Sequence, residues 1–71
     1  MKVKKVKNWC DATLTPLAWQ RIMIRLLPEF RREGYFLHNI NDESTLSESL
    51  LAHINRTLSD LYQINLPTQL K

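Results

Sequence analysis

Seventy-one residues, 44% of them hydrophobic with a single glycine, describe one small domain and exclude a chain without regular structure. A lone Cys10 excludes an internal disulfide, no Cys/His cluster has metal-site spacing, and no apolar run approaches the roughly 18 residues of a membrane span. The net charge of +3 is unevenly spread, because residues 1–32 carry eight basic and two acidic side chains while residues 33–71 carry two and five. A basic end of this kind suits nucleic acid or an acidic protein.

The chain opens on "MKVKKVK", which has the charge of a signal-peptide start but no apolar stretch behind it, so a cytoplasmic protein is expected. From Lys5 to Leu14, Val6, Cys10, Ala12 and Leu14 alternate with Lys5, Lys7, Trp9, Asp11 and Thr13, with only Asn8 out of pattern. That alternation predicts a short strand with Lys5, Lys7 and Trp9 on its outward side.

"TP" then opens a first helix, with Thr15 as N-cap and Pro16 in the first helical position. Ala18, Trp19, Ile22, Met23, Leu26, Leu27 and Phe30 form its apolar arc, and Gly34 is its natural stop. Pro28 removes the hydrogen bond to the Ile24 carbonyl, which predicts a kink. Leu17 and Ile24 fall off the arc and mark a candidate protein-contact strip. Arg21, Arg25 and Arg32 share a side if the helix continues through Pro28, with Glu29 spaced to pair with Arg25 or Arg32.

"YFLHNI" (35–40) is read as a short second strand or a packed connection, and "NDES" as a turn. The second helix is the clearest element. In "STLSESLLAHINRTLSDLY", Leu46, Leu50, Leu51, Ile54, Leu58, Leu61 and Tyr62 recur at helical spacing, and Thr45 with Glu48 has the form of a capping box. Asp42 and Glu43 suit the positive end of that helix. Pro67 ends any continuation.

Together these elements predict an α+β fold, mostly helical, in which short N-terminal strands pack with two amphipathic helices. The whole chain forms one domain, with residues 1–5 and 68–71 as candidates for disorder. So short a chain has a marginal core, and a homodimer is the expected source of further stability.

Catalysis has little support, since nothing arranges Cys10, His38 and His53 as nucleophile and base. No cofactor, metal or membrane partner is expected. Basic residues mixed with an aromatic suit nucleic-acid contact, and guanidinium rows neutralise phosphates. The first functional expectation is therefore a non-enzymatic, dimeric nucleic-acid-binding regulator using Lys4, Lys5, Lys7, Trp9, Arg21 and Arg25. The second is a protein-interaction module, an inhibitor or adaptor, presenting Leu17 and Ile24 with the basic face.

A basic amphipathic strand, a "TLTP" turn, one helix and then "STLSESLLAHINRTLSDLY" resembles the ribbon-helix-helix DNA-binding proteins. The resemblance covers roughly residues 4–62. It implies a dimer whose paired strands enter the major groove, with Lys5, Lys7 and Trp9 as outward ribbon positions. It also implies a phosphate-facing helix start around Ser44, Thr45 and Leu46.

Overall fold

The computed structural model describes residues 1–68, so residues 69–71 of the C-terminal segment expected at 68–71 lie outside the described residues. Four helices follow one another: α1 (Val3–Thr13), α2 (Ala18–Arg25), α3 (Leu27–Arg32) and α4 (Glu48–Tyr62). No sheet forms among the described residues, and the only bridge pairs Lys2 with Thr45 in antiparallel sense.

The expected α+β class is thereby corrected to all-helical, and the predicted N-terminal strand is α1. Val3, Val6 and Cys10 are all buried, at the i, i+3, i+7 spacing of a helical stripe. Ala12, which alternation placed beside Cys10 on the inner face, is exposed. An unpaired strand would leave its N–H and C=O groups without partners, whereas a helix satisfies most of them within the segment.

The remaining donors of α1 find partners far away in sequence. Val3 N–H donates to the Ser44 carbonyl at 2.9 Å, and Lys4 N–H to the Asp42 carbonyl at 3.0 Å. Lys2 supplies no side-chain cap of its own. The 41–45 loop thus caps α1, and Asp42 and Glu43 sit at the N-terminus of this helix, the place a helix dipole favours for negative charge. Beside it, Leu46 N–H donates to the Met1 carbonyl at 2.8 Å.

Helix α2 begins at Ala18 with Leu17 in the cap position, later than the sequence expectation of Thr15. Its cap also comes from elsewhere, because the Asp11 Oδ1 of α1 accepts from Trp19 N–H at 3.1 Å. At Leu26 the backbone leaves helical geometry, with φ −104° and ψ 15°. The kink expected from Pro28 is thus a full break, and Pro28 lies in the first turn of α3, where its missing N–H costs nothing. Gly34 ends α3 at φ +85°, with Tyr35 N–H donating to the Phe30 carbonyl and Gly34 N–H to that of Arg31. This double bond pattern is a Schellman stop.

Helix α4 starts at Glu48. Ser47, not Thr45, is its N-cap, and its Oγ accepts from Leu50 N–H at 3.1 Å. Segment 35–40 is not a strand but a turn-forming connection whose ends, Tyr35 and Ile40, pack half-buried on the core, while Phe36 and Leu37 are exposed. Asn39 braces the turns, accepting from Phe36 N–H at 2.6 Å and donating to the Gly34 carbonyl at 3.0 Å.

The core is shared by all four helices. Val6 and Cys10 of α1, Ala18, Trp19 and Ile22 of α2, Phe30 of α3 and Leu50, Ile54 and Leu58 of α4 are all buried. Trp19 and Tyr35 each meet Phe30 edge-on at 6.4 Å, a favoured aromatic geometry. After α4, Gln63 turns the chain through a left-handed conformation, φ 53°. The tail then folds back, with Leu66 N–H donating to Asn55 Oδ1 at 2.7 Å.

Candidate functional site

The lysine-rich start and the arginines of α2 emerge in different settings. On a helix, residues two apart do not share a face. Lys5, Lys7 and Trp9 are consequently separated. Lys5 and Lys4 are exposed, Lys7 is half-buried with its Nζ 3.6 Å from Asp42 Oδ1, and Trp9 packs against the core. Lys2 Nζ lies 2.6 Å from Glu43 Oε2. That hydrogen bond, reinforced by the charge of Lys2 and then of Lys4, holds the Glu43 carboxyl below its ordinary range. Two of the four N-terminal lysines are therefore engaged in holding the 41–45 loop on α1.

Helix α2 differs. Its inner side buries Ala18, Trp19 and Ile22, while Leu17, Arg21, Ile24 and Arg25 share the outer side at i, i+4, i+7, i+8 spacing. Leu17 is 63% exposed and Ile24 60%, so these are aliphatic side chains standing in water and not the rim of the core. Among the described residues neither Arg21 nor Arg25 has a carboxylate within ion-pair distance. The expected pairing of Glu29 with Arg25 fails because the helix breaks between them at Leu26. The same break assigns Arg32 to α3 and removes it from the expected arginine row.

α4 completes this surface. Arg21, Ile24, Arg25 and Leu61 line an open hollow of about 190 Å³. The Arg21 guanidinium lies 5.9 Å from the centroid of the Tyr62 ring, within cation–π range. Leu61 and Tyr62 were expected in the apolar arc of the second helix, and both are half-buried at its last turn, beside the arginines. Their place was missed because periodicity identifies a helical stripe but not how far along the stripe the core extends. The six candidate nucleic-acid residues are thus distributed over two helices, whereas Leu17 and Ile24 stand together with Arg21 and Arg25 on one.

Other chemistry-bearing groups have quieter roles. Burial, followed by the nearby Asp11 charge, pushes the Cys10 thiol up to about 12, far from the thiolate that nucleophilic or metal-binding work requires. His38 stacks on Phe36 at 5.7 Å in the exposed turn, and His53 lies half-buried on α4. No three His, Cys, Asp or Glu side chains gather around a metal-sized site among the described residues. No helix there is long and apolar enough to cross a membrane.

Comparison of the chain with protein-family models, with curated proteins and with solved structures finds no match, so a functional reading rests on the geometry of this surface.

Proposed function

We propose that this protein is a non-enzymatic protein-interaction module, an inhibitor or adaptor, that contacts its partner through Leu17, Arg21, Ile24 and Arg25. The observation that carries this reading is the alternation of two well-exposed aliphatic side chains with two arginines that have no carboxylate partner among the described residues, on one helix face. Covering Leu17 and Ile24 would contribute about 1–2 kcal/mol each, a gain that only an apolar partner surface supplies. Interfaces of this type favour arginine, whose stem packs while its planar head pairs.

Nucleic-acid binding is the second reading, favoured by the exposure of Lys4 and Lys5. Phosphate contacts reward charge and leave Leu17 and Ile24 without a role. The two readings separate in one comparison. Protein from the source cells is captured on the immobilised chain and on Leu17→Asp and Ile24→Asp variants. In parallel, fluorescence anisotropy measures binding of duplex DNA, single-stranded DNA and RNA to the chain and to a Lys4→Gln/Lys5→Gln variant, at low and near-physiological salt. A partner retained by the parent and lost by both aspartate variants supports the interaction module. Tight nucleic-acid binding that falls steeply with salt and needs Lys4 and Lys5 would replace it with the second reading.

A further inference from the structure

Building on the proposed interaction face, we infer that its occupant is an acidic amphipathic helix of another protein, bearing one bulky apolar side chain flanked by carboxylates one turn apart. Three features of the surface select that chemistry. The hollow between Arg21, Ile24, Arg25 and Leu61, about 190 Å³, has room for a single leucine- or phenylalanine-sized group. For scale, an enclosed apolar cavity of about 150 Å³ accepts benzene. Arg21 and Arg25 stand one helical turn apart on α2, roughly 6 Å between Cβ atoms, which is the spacing of carboxylates at i and i+4 on an opposing helix. Neither arginine has a carboxylate partner among the described residues, so charge complementarity on this face is left for an incoming chain to supply.

Competing occupants fit less well. A second copy docking symmetrically would set Arg21 and Arg25 against their own counterparts, since a two-fold contact uses one patch on both sides. Such like-charge juxtaposition is costly. A nucleic-acid strand would pair with the guanidiniums but place Leu17 and Ile24 against its charged backbone. On this face the Tyr62 ring is not free for stacking, because Arg21 already lies over it. An acidic helix satisfies the arginines and the aliphatic residues together, in the helix-on-surface mode by which apolar anchors and flanking charges are read jointly.

The experiment uses the full chain, isotopically labelled, and a synthetic helical peptide with glutamates at i and i+4 and a leucine at i+3, on their side of the helix. Its companions are a glutamine-for-glutamate peptide, an alanine-for-leucine peptide and a duplex DNA. Amide shifts locate binding and anisotropy gives affinity. The expected result is perturbation centred on Leu17 to Arg25 and Leu61, with the glutamine peptide weaker by about tenfold. Arg25→Gln should reduce that discrimination, while Lys5→Gln, off the face, should leave it intact. Thermal melts of each variant confirm that it folds.

Equal binding of the glutamate and glutamine peptides would overturn the acidic occupant, and the interaction module would stand if capture still requires Leu17 and Ile24. Absence of peptide binding alongside that capture would overturn it in the same way. Self-association in sedimentation that Ile24→Asp abolishes would assign the face to a second copy. DNA binding tighter than that of the peptide, with shifts centred on Lys4 and Lys5, would overturn both the occupant and the module.

Discussion

The start of α1 and the outer face of α2 present the same ingredients, basic side chains among apolar ones, and use them in opposite ways. Around α1 two of the four lysines are turned onto the chain, while Lys4 and Lys5 stay exposed. Lys2 and Lys7 hold Glu43 and Asp42, the carbonyls of Asp42 and Ser44 cap the helix, and Trp9 packs on the core. On α2 neither arginine has a carboxylate partner among the described residues, Arg21 lies only over the Tyr62 ring, and Leu17 and Ile24 remain in solvent. Basic and apolar residues mixed in sequence are thus not evidence of a binding surface by themselves. What distinguishes the two regions is whether the rest of the fold supplies their partners, and that depends on contacts some forty residues away, such as Lys2 to Glu43.

The largest effect is expected within α2 itself. Ile22 is fully buried and Ile24, two residues on, is 60% exposed. Ile22→Asp should unfold the chain, since an unpaired carboxylate in the core costs about 4 kcal/mol or more, a large share of the stability of so small a domain. Ile24→Asp should change stability by no more than about 0.5 kcal/mol. Chemical denaturation followed by far-UV circular dichroism measures both, and similar losses would show that the outer face is part of the core. Next in size is Asn8→Pro, at an exposed position in mid-α1. Proline there removes a helical hydrogen bond and crowds the preceding turn, for a loss of about 3 kcal/mol. A shift in the urea midpoint close to zero would mean that residues 3–13 are not helical in solution.

These contrasts also explain which parts of the molecule were readable in sequence. The long helix was legible because Leu50, Ile54 and Leu58 repeat at helical spacing and all three are buried. The stop at Gly34 was legible because the left-handed conformation it adopts is open chiefly to glycine. α1 was misread because Val6, Cys10, Ala12 and Leu14 also fit a two-residue period, while the information that decides for a helix is non-local. Val3, which completes the i, i+3, i+7 stripe, lies outside that window, and the caps come from residues 42–44. For the candidate site, the off-arc position of Leu17 and Ile24 was visible from periodicity alone. Their association with Leu61 was not, because it depends on how α2 crosses α4.

Capping gives a smaller and cleaner test of the same distinction between local and distant signals. Ser47 caps α4 and its hydroxyl also donates to Glu33 Oε1 at 2.5 Å. Ser47→Ala should lower stability by about 1 kcal/mol. Thr45, the cap that the sequence pattern favoured, contributes through its backbone, pairing with Lys2 and accepting from the Tyr35 hydroxyl at 2.7 Å. Thr45→Ala should therefore stay within about 0.5 kcal/mol of the parent. If the alanine at 45 is the more damaging of the two, helix α4 begins earlier in solution.

The smallest effect expected comes from the ion pairs at the start of α1, and its pH dependence separates them from the arginines of α2. Lys2 holds the Glu43 carboxyl below its ordinary value of 4.5 in the folded chain. A depressed folded value means that the unfolded chain takes up the proton first as pH falls. The stabilisation is accordingly present in full above the unfolded value and is lost as pH drops through the folded one. Lys2→Gln should melt slightly below the parent at neutral pH and low salt, and the gap should close in acid. Added salt should also narrow it, because both side chains are more than half exposed. Arg25→Gln removes a charge with no carboxylate partner among the described residues and should open no such gap at any pH. A melting difference for Lys2→Gln that persists unchanged into acid would show that Lys2 acts through something other than Glu43. A comparable acid-sensitive gap for Arg25→Gln would mean that the α2 arginines, too, are engaged within the chain, and the contrast between the two regions would fall with it.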